Sequence, residues 1–490
     1  MAWIVALYLV PFVTGLMAAV LNVPQRSDKL QAAGALLTLM IAGKVAITVW
    51  TGQPMLLAHD VIYIDALGAF NLSLIALVGF IASLYSIGYM RVELAEGVIS
   101  SKQFRFYYAF FHFFILTMLM VSTVNSLGLL WVGIELTTLV SALLVAFYGK
   151  SNALEAAWKY LIMGSVGIAF ALLGIIFIYL SGMQTLGQQS PALNWTELVQ
   201  VAAALNPEWV KIGFIFILIG FGTKAGLAPM HFWLPDAHSQ APSPISAVLS
   251  GVLLNTALYG VFRVYAIANV TLDGQAAQYL VFFGLLSIAI TVPFMMVQHD
   301  LKRMLAYSSV EHMGIITLSV GIGGALGLYG AFLHMFNHSM TKSLLFFAAG
   351  SICQRYRSKQ MRRISGILKV MPVTGGIFLI AALAITGAPP FNIFLSEITI
   401  MMAGFQGGQL WLAVALVALI VLIFAGMMYY VIKMVFGEAP GRIEKVSLDR
   451  WSAAALMIPL VLVVVCGWYI PPMLDSTIYK VSSVLQGAGR

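Results

Sequence analysis

Several ionisable side chains of this 490-residue chain lie inside long apolar runs. Glu135 lies in LLWVGIELTTL and Lys159 in AAWKYLIMGSVG. Lys224 lies in FGTKAGLAPMH, and Glu311 and His312 lie in SSVEHMGII. His334, His338 and Lys342 lie in FLHMFNHSMTKSLLFF, and Glu397 lies in FNIFLSEITI. Carboxylates, imidazoles and amines accept, hold and release protons. A charge at the centre of a bilayer costs roughly 2.5–3.5 kcal/mol on insertion scales, so such residues point to an ion path or to a partner charge.

Spacing narrows the chemistry. His334, His338 and Lys342 are four residues apart and share one helix face. That face suits a relay across the middle of the membrane. Histidines hydrogen-bonded within a helix interface have the same spacing. Two histidines at i and i+4 also suit zinc, but that motif contains no carboxylate and Lys342 would repel a cation. His112, alone among aromatics, reads as a packed histidine.

Glu135 and Lys224 form a candidate pair. At 4 Å and an effective dielectric of about 20, two unit charges attract by about 4 kcal/mol. Bringing Glu135 near holds a proton on Lys224, and moving it away releases that proton. A static salt bridge that pins two helices is the other reading of the pair.

These residues need elements to hold them. The central stretch is Phe221 to His238, FGTKAGLAPMHFWLPDAH, in which Lys224 precedes Pro229 and Pro235. Proline removes a backbone donor and clashes with the preceding turn, so a helix should break here. Broken backbone at membrane depth is tolerated only where it is buried in protein or faces water. The signature returns in TGAPPFNIFLSE, with Pro389 and Pro390. Gly226, Pro229, Trp233, Leu234 and Asp236 recur, by residue type, as Gly387, Pro390, Phe394, Leu395 and Glu397, each about 161 residues later, as an internal repeat requires. Paired broken segments in two halves point to a transport path.

Composition sets the class. The chain is 61% hydrophobic and 9% charged, with a mean hydropathy of +0.95. It reads as a polytopic, all-α membrane protein. The net charge of +8 sits in short loops and speaks for topology, not for nucleic acid. Cys353 and Cys466 are too few for an iron–sulfur or zinc framework. GIGGALG at 321–327 reads as a turn or close helix packing, not a phosphate loop. No cofactor is expected in this chain.

About fourteen spans are predicted: 3–22, 30–50, 65–89, 106–123, 125–148, 154–180, 210–236, 243–268, 276–297, 301–322, 325–352, 371–402, 410–436 and 452–471. Loops after odd-numbered spans hold most basic residues, including Arg91, Lys150, Lys302, Arg442, Lys445 and the run Arg355–Lys369. That face should be cytoplasmic, with both termini on the outer side. The run Arg355–Lys369 reads as a solvated loop or as a docking surface for a cytoplasmic subunit. The loop 181–209 should lie outside, with Trp195 and Trp209 at the membrane interface. One membrane domain, 1–490, is expected.

These motifs resemble the antiporter-like membrane subunits of the complex I and Mrp antiporter superfamily. WVGIEL carries Glu135, AAWKY carries Lys159, and GTKAGLAPMHFWLPDAH carries Lys224. KRMLAYSSVEHMG begins at Lys302, and FLHMFNHSMTKSLLF resembles the eleventh-helix histidine motif. AAWKY, VEHMG and PPFNIFLSE are most similar to the F component of hydrogenase-4, a group of partners of membrane-bound hydrogenases of the formate hydrogenlyase type. The resemblance implies two inverted five-helix repeats, helices 4–8 at 106–268 and helices 9–13 at 276–436, with helices 7 and 12 broken. It also implies proton translocation through Glu135, Lys159, Lys224, Lys302, His334, His338, Lys342 and Glu397. Implied partners are the lipid bilayer, other membrane subunits and, indirectly, cytoplasmic redox subunits such as a nickel–iron hydrogenase and iron–sulfur proteins. The implied location is the cytoplasmic membrane of a prokaryote. A stand-alone Mrp-type cation/proton antiporter and a structural anchor are the competing readings. The anchor reading rests on one departure: GVLLNTALYG places Asn255 where the family often has lysine or histidine. Asparagine holds water but carries no proton as a charge.

Overall fold

A computed structural model describes residues 1–21, 23–187, 191–439 and 448–486. Arg442 and Lys445 lie outside the described residues.

The chain starts with α1 (Ala2–Val20) and α2 (Pro24–Thr51). A hairpin follows, β1 (Met55–Leu57) paired antiparallel with β2 (Ile62–Ile64). Next come α3 (Ala66–Ala95), α4 (Ser101–Val121), α5 (Leu127–Val145) and α6 (Ser151–Leu186). The short α7 (Trp195–Gln200) precedes α8 (Pro207–Ala225), α9 (Trp233–Gln240), α10 (Ser243–Val248) and α11 (Leu254–Thr271). The second half has α12 (Gln275–Met296), α13 (Leu301–Ile322), α14 (Gly324–Tyr356), α15 (Ile367–Val370), α16 (Pro372–Ile385), α17 (Asn392–Gln406) and α18 (Leu410–Phe436). It ends with α19 (Arg450–Trp468) and α20 (Pro472–Leu485).

Polar caps set several helix starts. Ser100 and Gln103 form a reciprocal capping box on α4. Asn206 accepts from the Glu208 and Trp209 amides before α8. Asp65, Asp300 and Asp449 cap α3, α13 and α19 in the same way. Each supplies an acceptor for amides that the first helical turn leaves unpaired.

Ten described helical runs are long and apolar enough to cross a bilayer: α1 to α6, α10–α11 taken as one, α12, α18 and α19. The other four expected spans coincide with α8, α13, α14 and the pair α16–α17. The first three carry buried charges or histidines, and the pair is interrupted, so length and apolarity alone do not select them. The all-α expectation stands, with the β1–β2 hairpin as an added element.

Both expected breaks are present. Helix α8 stops at Gly226 (φ 77°), and α16 is followed by Gly387 (φ 71°). This left-handed backbone is open to glycine at little cost. The Ala228–Pro229 and Pro389–Pro390 peptides are both cis. Pro235 does not break a helix, contrary to expectation. It is the third residue of α9, within the first turn, where no intrahelical donor is lost. The glycine-rich 321–327 run is the turn between α13 and α14, with Gly323 and Gly324 at positive φ.

Tight seams fix the helices that carry the charges. A Cβ on Gly220 of α8 would lie 2.5 Å from the Gly167 carbonyl oxygen of α6. A Cβ on Gly284 of α12 would lie 2.6 Å from the Leu318 nitrogen of α13. Helix α14 runs through the centre and is buried almost throughout from Gly327 to Gly350. Between α10 and α11, residues Leu249–Leu253 form a π-helical stretch. Such stretches recur at functional sites.

One expected surface residue is inside. Trp195 is 6% exposed, not at a lipid interface. Its indole nitrogen donates to the Arg263 carbonyl (2.7 Å), and its ring lies 4.5 Å from the Arg263 guanidinium. Arg263 in turn pairs with Asp65 through contacts of 2.5 and 2.6 Å. A buried bidentate ion pair has captured the tryptophan that composition assigned to the membrane interface.

Candidate functional site

Among the described residues, two groups of ionisable side chains lie along the central helices. In the first, Lys224 sits in the last turn of α8, fully buried. Its ammonium donates to Thr138 Oγ1 of α5 (2.8 Å) and to the Tyr160 hydroxyl of α6. The Tyr160 hydroxyl also contacts Ser141 Oγ at 2.6 Å. Two hydroxyl-bearing helices therefore solvate a fully buried cation.

Glu135 is not in contact with Lys224, contrary to the expected pair. No ion pair within 4.0 Å joins them among the described residues. Glu135 lies one turn before Thr138 on α5 and accepts from Ser165 of α6 at 3.0 Å. Its other oxygen has no hydrogen-bond partner. At a separation beyond 4.0 Å the carboxylate attracts Lys224 more weakly than a contact pair would, because Coulomb energy falls with distance.

Lys159 belongs to neither group. Its side chain is 51% exposed and pairs with Glu155 (2.6 Å) and Asp236 (3.2 Å). Asp236 also pairs with Arg303. Successive residues of a helix turn by 100°, so Tyr160 faces Lys224 while its neighbour Lys159 faces out.

The second group is built from α13, α14 and α17. Lys342 donates to the Leu305 carbonyl (2.7 Å) and to Ser308 Oγ, and Glu311 attracts it electrostatically. His338, one turn earlier on α14, has no partner at either ring nitrogen. Its ring centroid lies 5.3 Å from that of His312. His312 Nδ1 and His334 Nε2 share a hydrogen bond of 2.8 Å. His334 Nδ1 contacts Ser396 Oγ at 2.9 Å. Glu397 follows, 3% exposed, with Oε1 unpartnered. Lys342, His338, His312, His334 and Glu397 thus form a row of buried titratable groups.

The structure supplies the carboxylate that the histidine motif lacks. Donor atoms of His312, His334 and Glu397 lie within 4.8 Å of one another, the donor types a transition metal takes. Of His312 and His334 one donates its N–H and the other spends its lone pair on it, and Lys342 adds positive charge, so the arrangement suits proton exchange better than a cation.

Asn255, on α11, lies two residues beyond the π stretch. Its amide donates to the Gly251 carbonyl (2.9 Å) and to Ser339 Oγ (3.0 Å). Lys302 is not in the histidine row. It is buried at the start of α13, donates to the Ala241 carbonyl (2.5 Å) and lines a cavity of about 740 Å³.

Sequence reasoning passed over His238. It is the last residue of the central stretch, fully buried, with both ring nitrogens unpartnered. Lys302 and Lys342 both act on it electrostatically. A histidine one turn beyond Pro235 in a broken segment was the available signal.

Comparison with known proteins places this geometry. Residues 124–423 match the family model described as NADH:quinone oxidoreductase/Mrp antiporter, transmembrane. A hydrogenase-4 component F homolog of Methylacidiphilum infernorum (isolate V4) is 40% identical over 414 residues, 84% of this chain and 85% of the relative. NADH-quinone oxidoreductase subunit N of Desulforudis audaxviator is 32% identical, covering 76% of this chain and 71% of the relative. A chain of the archaeal membrane-bound sulfane sulfur reductase superposes with a TM-score of 0.85 at 24% identity, over 99% of both chains. A chain of the Mrp complex from Dietzia sp. DQ12-45-1b gives 0.86 at 19% identity, over 99% of this chain and 97% of that one.

Proposed function

Because the chain belongs to the NADH:quinone oxidoreductase/Mrp antiporter transmembrane family, we propose that it is a proton-translocating subunit of a membrane-bound, multisubunit oxidoreductase. The observation that carries this reading is the row Lys342, His338, His312, His334 and Glu397. Unpartnered ring nitrogens and a carboxylate oxygen in that row are free to exchange protons. Desolvation of so many ionisable groups is costly, and transport is the return on that cost.

Catalysis of the redox reaction belongs to other subunits in this reading. Energy arrives as a change of charge near Glu135. Moving that carboxylate toward or away from Lys224 changes how firmly Lys224 holds its proton. Thr138 and Tyr160 keep the ammonium solvated in both positions. The face of α5 and α6 around Glu135 exposes Leu139, Leu143, Ile162 and Val166. A second membrane subunit covers it, since a partly exposed carboxylate facing lipid is expensive. The loops with Arg357, Lys359 and Arg363 face the cytoplasm, and the termini face outward.

The test is proton uptake by the complete complex in sealed vesicles, native against Glu397→Gln. Loss of uptake with the assembled complex intact supports the reading. Unchanged uptake refutes it.

A further inference from the structure

Resting on the transport reading above, we propose that the second half of the chain takes its protons directly from the cytoplasm. The port is the cavity that Lys302 lines, and the protons do not arrive from Lys224 across Asn255.

The cavity holds about 740 Å³ and opens among loops that carry Lys150, Arg357, Lys359 and Arg363. Basic loops of this kind mark the cytoplasmic face. Polar walls and this volume suit water, since one water needs only about 30 Å³ and a few polar partners. Lys302 is 3% exposed, lines the cavity and donates one hydrogen bond to the Ala241 carbonyl. An ammonium has three donors, so two remain for water. From there the line continues inward. His238 is buried, its ring centroid 5.7 Å from that of Phe346, one turn beyond Lys342 on α14, with neither ring nitrogen engaged. His338 lies one turn before Lys342 on the same helix. The cavity, Lys302, His238, Lys342 and His338 form one succession leading to the histidine row.

The alternative supply meets no titratable group at Asn255. Its amide nitrogen is committed to Gly251 and Ser339, which staples α11 to α14. A carboxamide neither gains nor loses a proton in this range. Lys224 meanwhile gives two of its three donors to Thr138 and Tyr160, within its own group. Lys224 acts as the charge switch, and Lys302 receives the transported proton.

Cys353 gives the test a handle. It lines the same cavity, whereas Cys466 is fully buried elsewhere. Inverted membrane vesicles containing the complete complex expose this face. A bulky, charged methanethiosulfonate reagent added outside should modify Cys353, as read by mass spectrometry of this chain. Proton uptake should then fall by about tenfold. That is less than the roughly 10²–10⁴-fold of a deleted proton-transfer group, because an adduct narrows the port without removing Lys302. Reduction with dithiothreitol should restore uptake, and Cys353→Ala should abolish the sensitivity. Lys302→Met should lower uptake at least as much in unmodified vesicles. Glu397→Gln separates the two claims. If it stops uptake while the Cys353 adduct and Lys302→Met do not, the port is wrong and the transport reading stands. If Cys353 stays unmodified and Lys302→Met leaves uptake unchanged, the port is wrong as well, whereas an unmodified Cys353 with uptake lost in Lys302→Met reflects a thiol whose proton burial holds firmly. If Glu397→Gln itself leaves uptake intact, the transport reading fails.

Discussion

His312 Nδ1 and His334 Nε2 lie 2.8 Å apart and join α13 to α14 through one shared proton. Both rings are fully buried, so the proton sits on one ring or the other. Removing His312 strands the His334 nitrogen. His312→Ala should therefore cost about 1–3 kcal/mol of stability, the penalty for a buried unsatisfied group. It should also cut proton uptake by at least roughly tenfold. Thermal unfolding of the purified complex and vesicle uptake measure the two effects separately.

Tyr160 links Lys224 to Ser141, and its ring lies 4.5 Å from the same ammonium. Tyr160→Phe keeps the ring and removes the hydroxyl. Lys224 then loses one of two acceptors, at a cost of about 1–3 kcal/mol. A double-mutant cycle of Tyr160→Phe with Thr138→Val should show coupling, because both oxygens serve one ammonium. Strictly additive changes in unfolding free energy would contradict the shared site.

Arg263 and Asp65 test the fold independently of transport. Both are nearly fully buried, and the guanidinium is stacked by Trp195 and Tyr259. Arg263→Met should destabilise by about 3–5 kcal/mol, because it leaves Asp65 buried and unpaired. Arg263→Met with Asp65→Asn should recover part of that loss. Lys159→Ala should cost no more than about 1 kcal/mol, since its side chain is half-exposed.

Lys359 gives a pH prediction. Burial lowers the affinity of its amine for a proton below the ordinary lysine value. The unfolded chain thus holds this proton more tightly than the folded one. Its penalty is full at low pH and is relieved as pH rises from the lowered folded value toward the ordinary one. Stability of the native complex should rise with pH across that interval relative to Lys359→Gln. An identical pH profile in the variant would refute this.

Much of the fold could be read from residue patterns. Glycine followed by proline, twice at one offset, marks the breaks because few other residues permit such backbone. Charges inside apolar runs mark the polar interior. Contacts between groups were not legible. Glu135 and Lys224 read as a contact pair, yet Lys224 is held by Thr138 and Tyr160 and Glu135 by Ser165. Helical rotation sets Lys159 outward beside inward Tyr160, and only the α6–α8 glycine seam decides which is which. His238 was overlooked because a histidine after a proline turn reads as loop until α9 buries it. Trp195 reads as interfacial until Arg263 and Asp65 show what it covers.

The most direct measurement is the number of protons moved per electron transferred, in sealed vesicles of the complete complex, for native and Lys342→Ala chains. Lys342 heads the buried row on α14, and in this account the redox reaction runs in other subunits. The account predicts that the variant still passes electrons while its proton ratio drops. An unchanged ratio at full electron flow would contradict it.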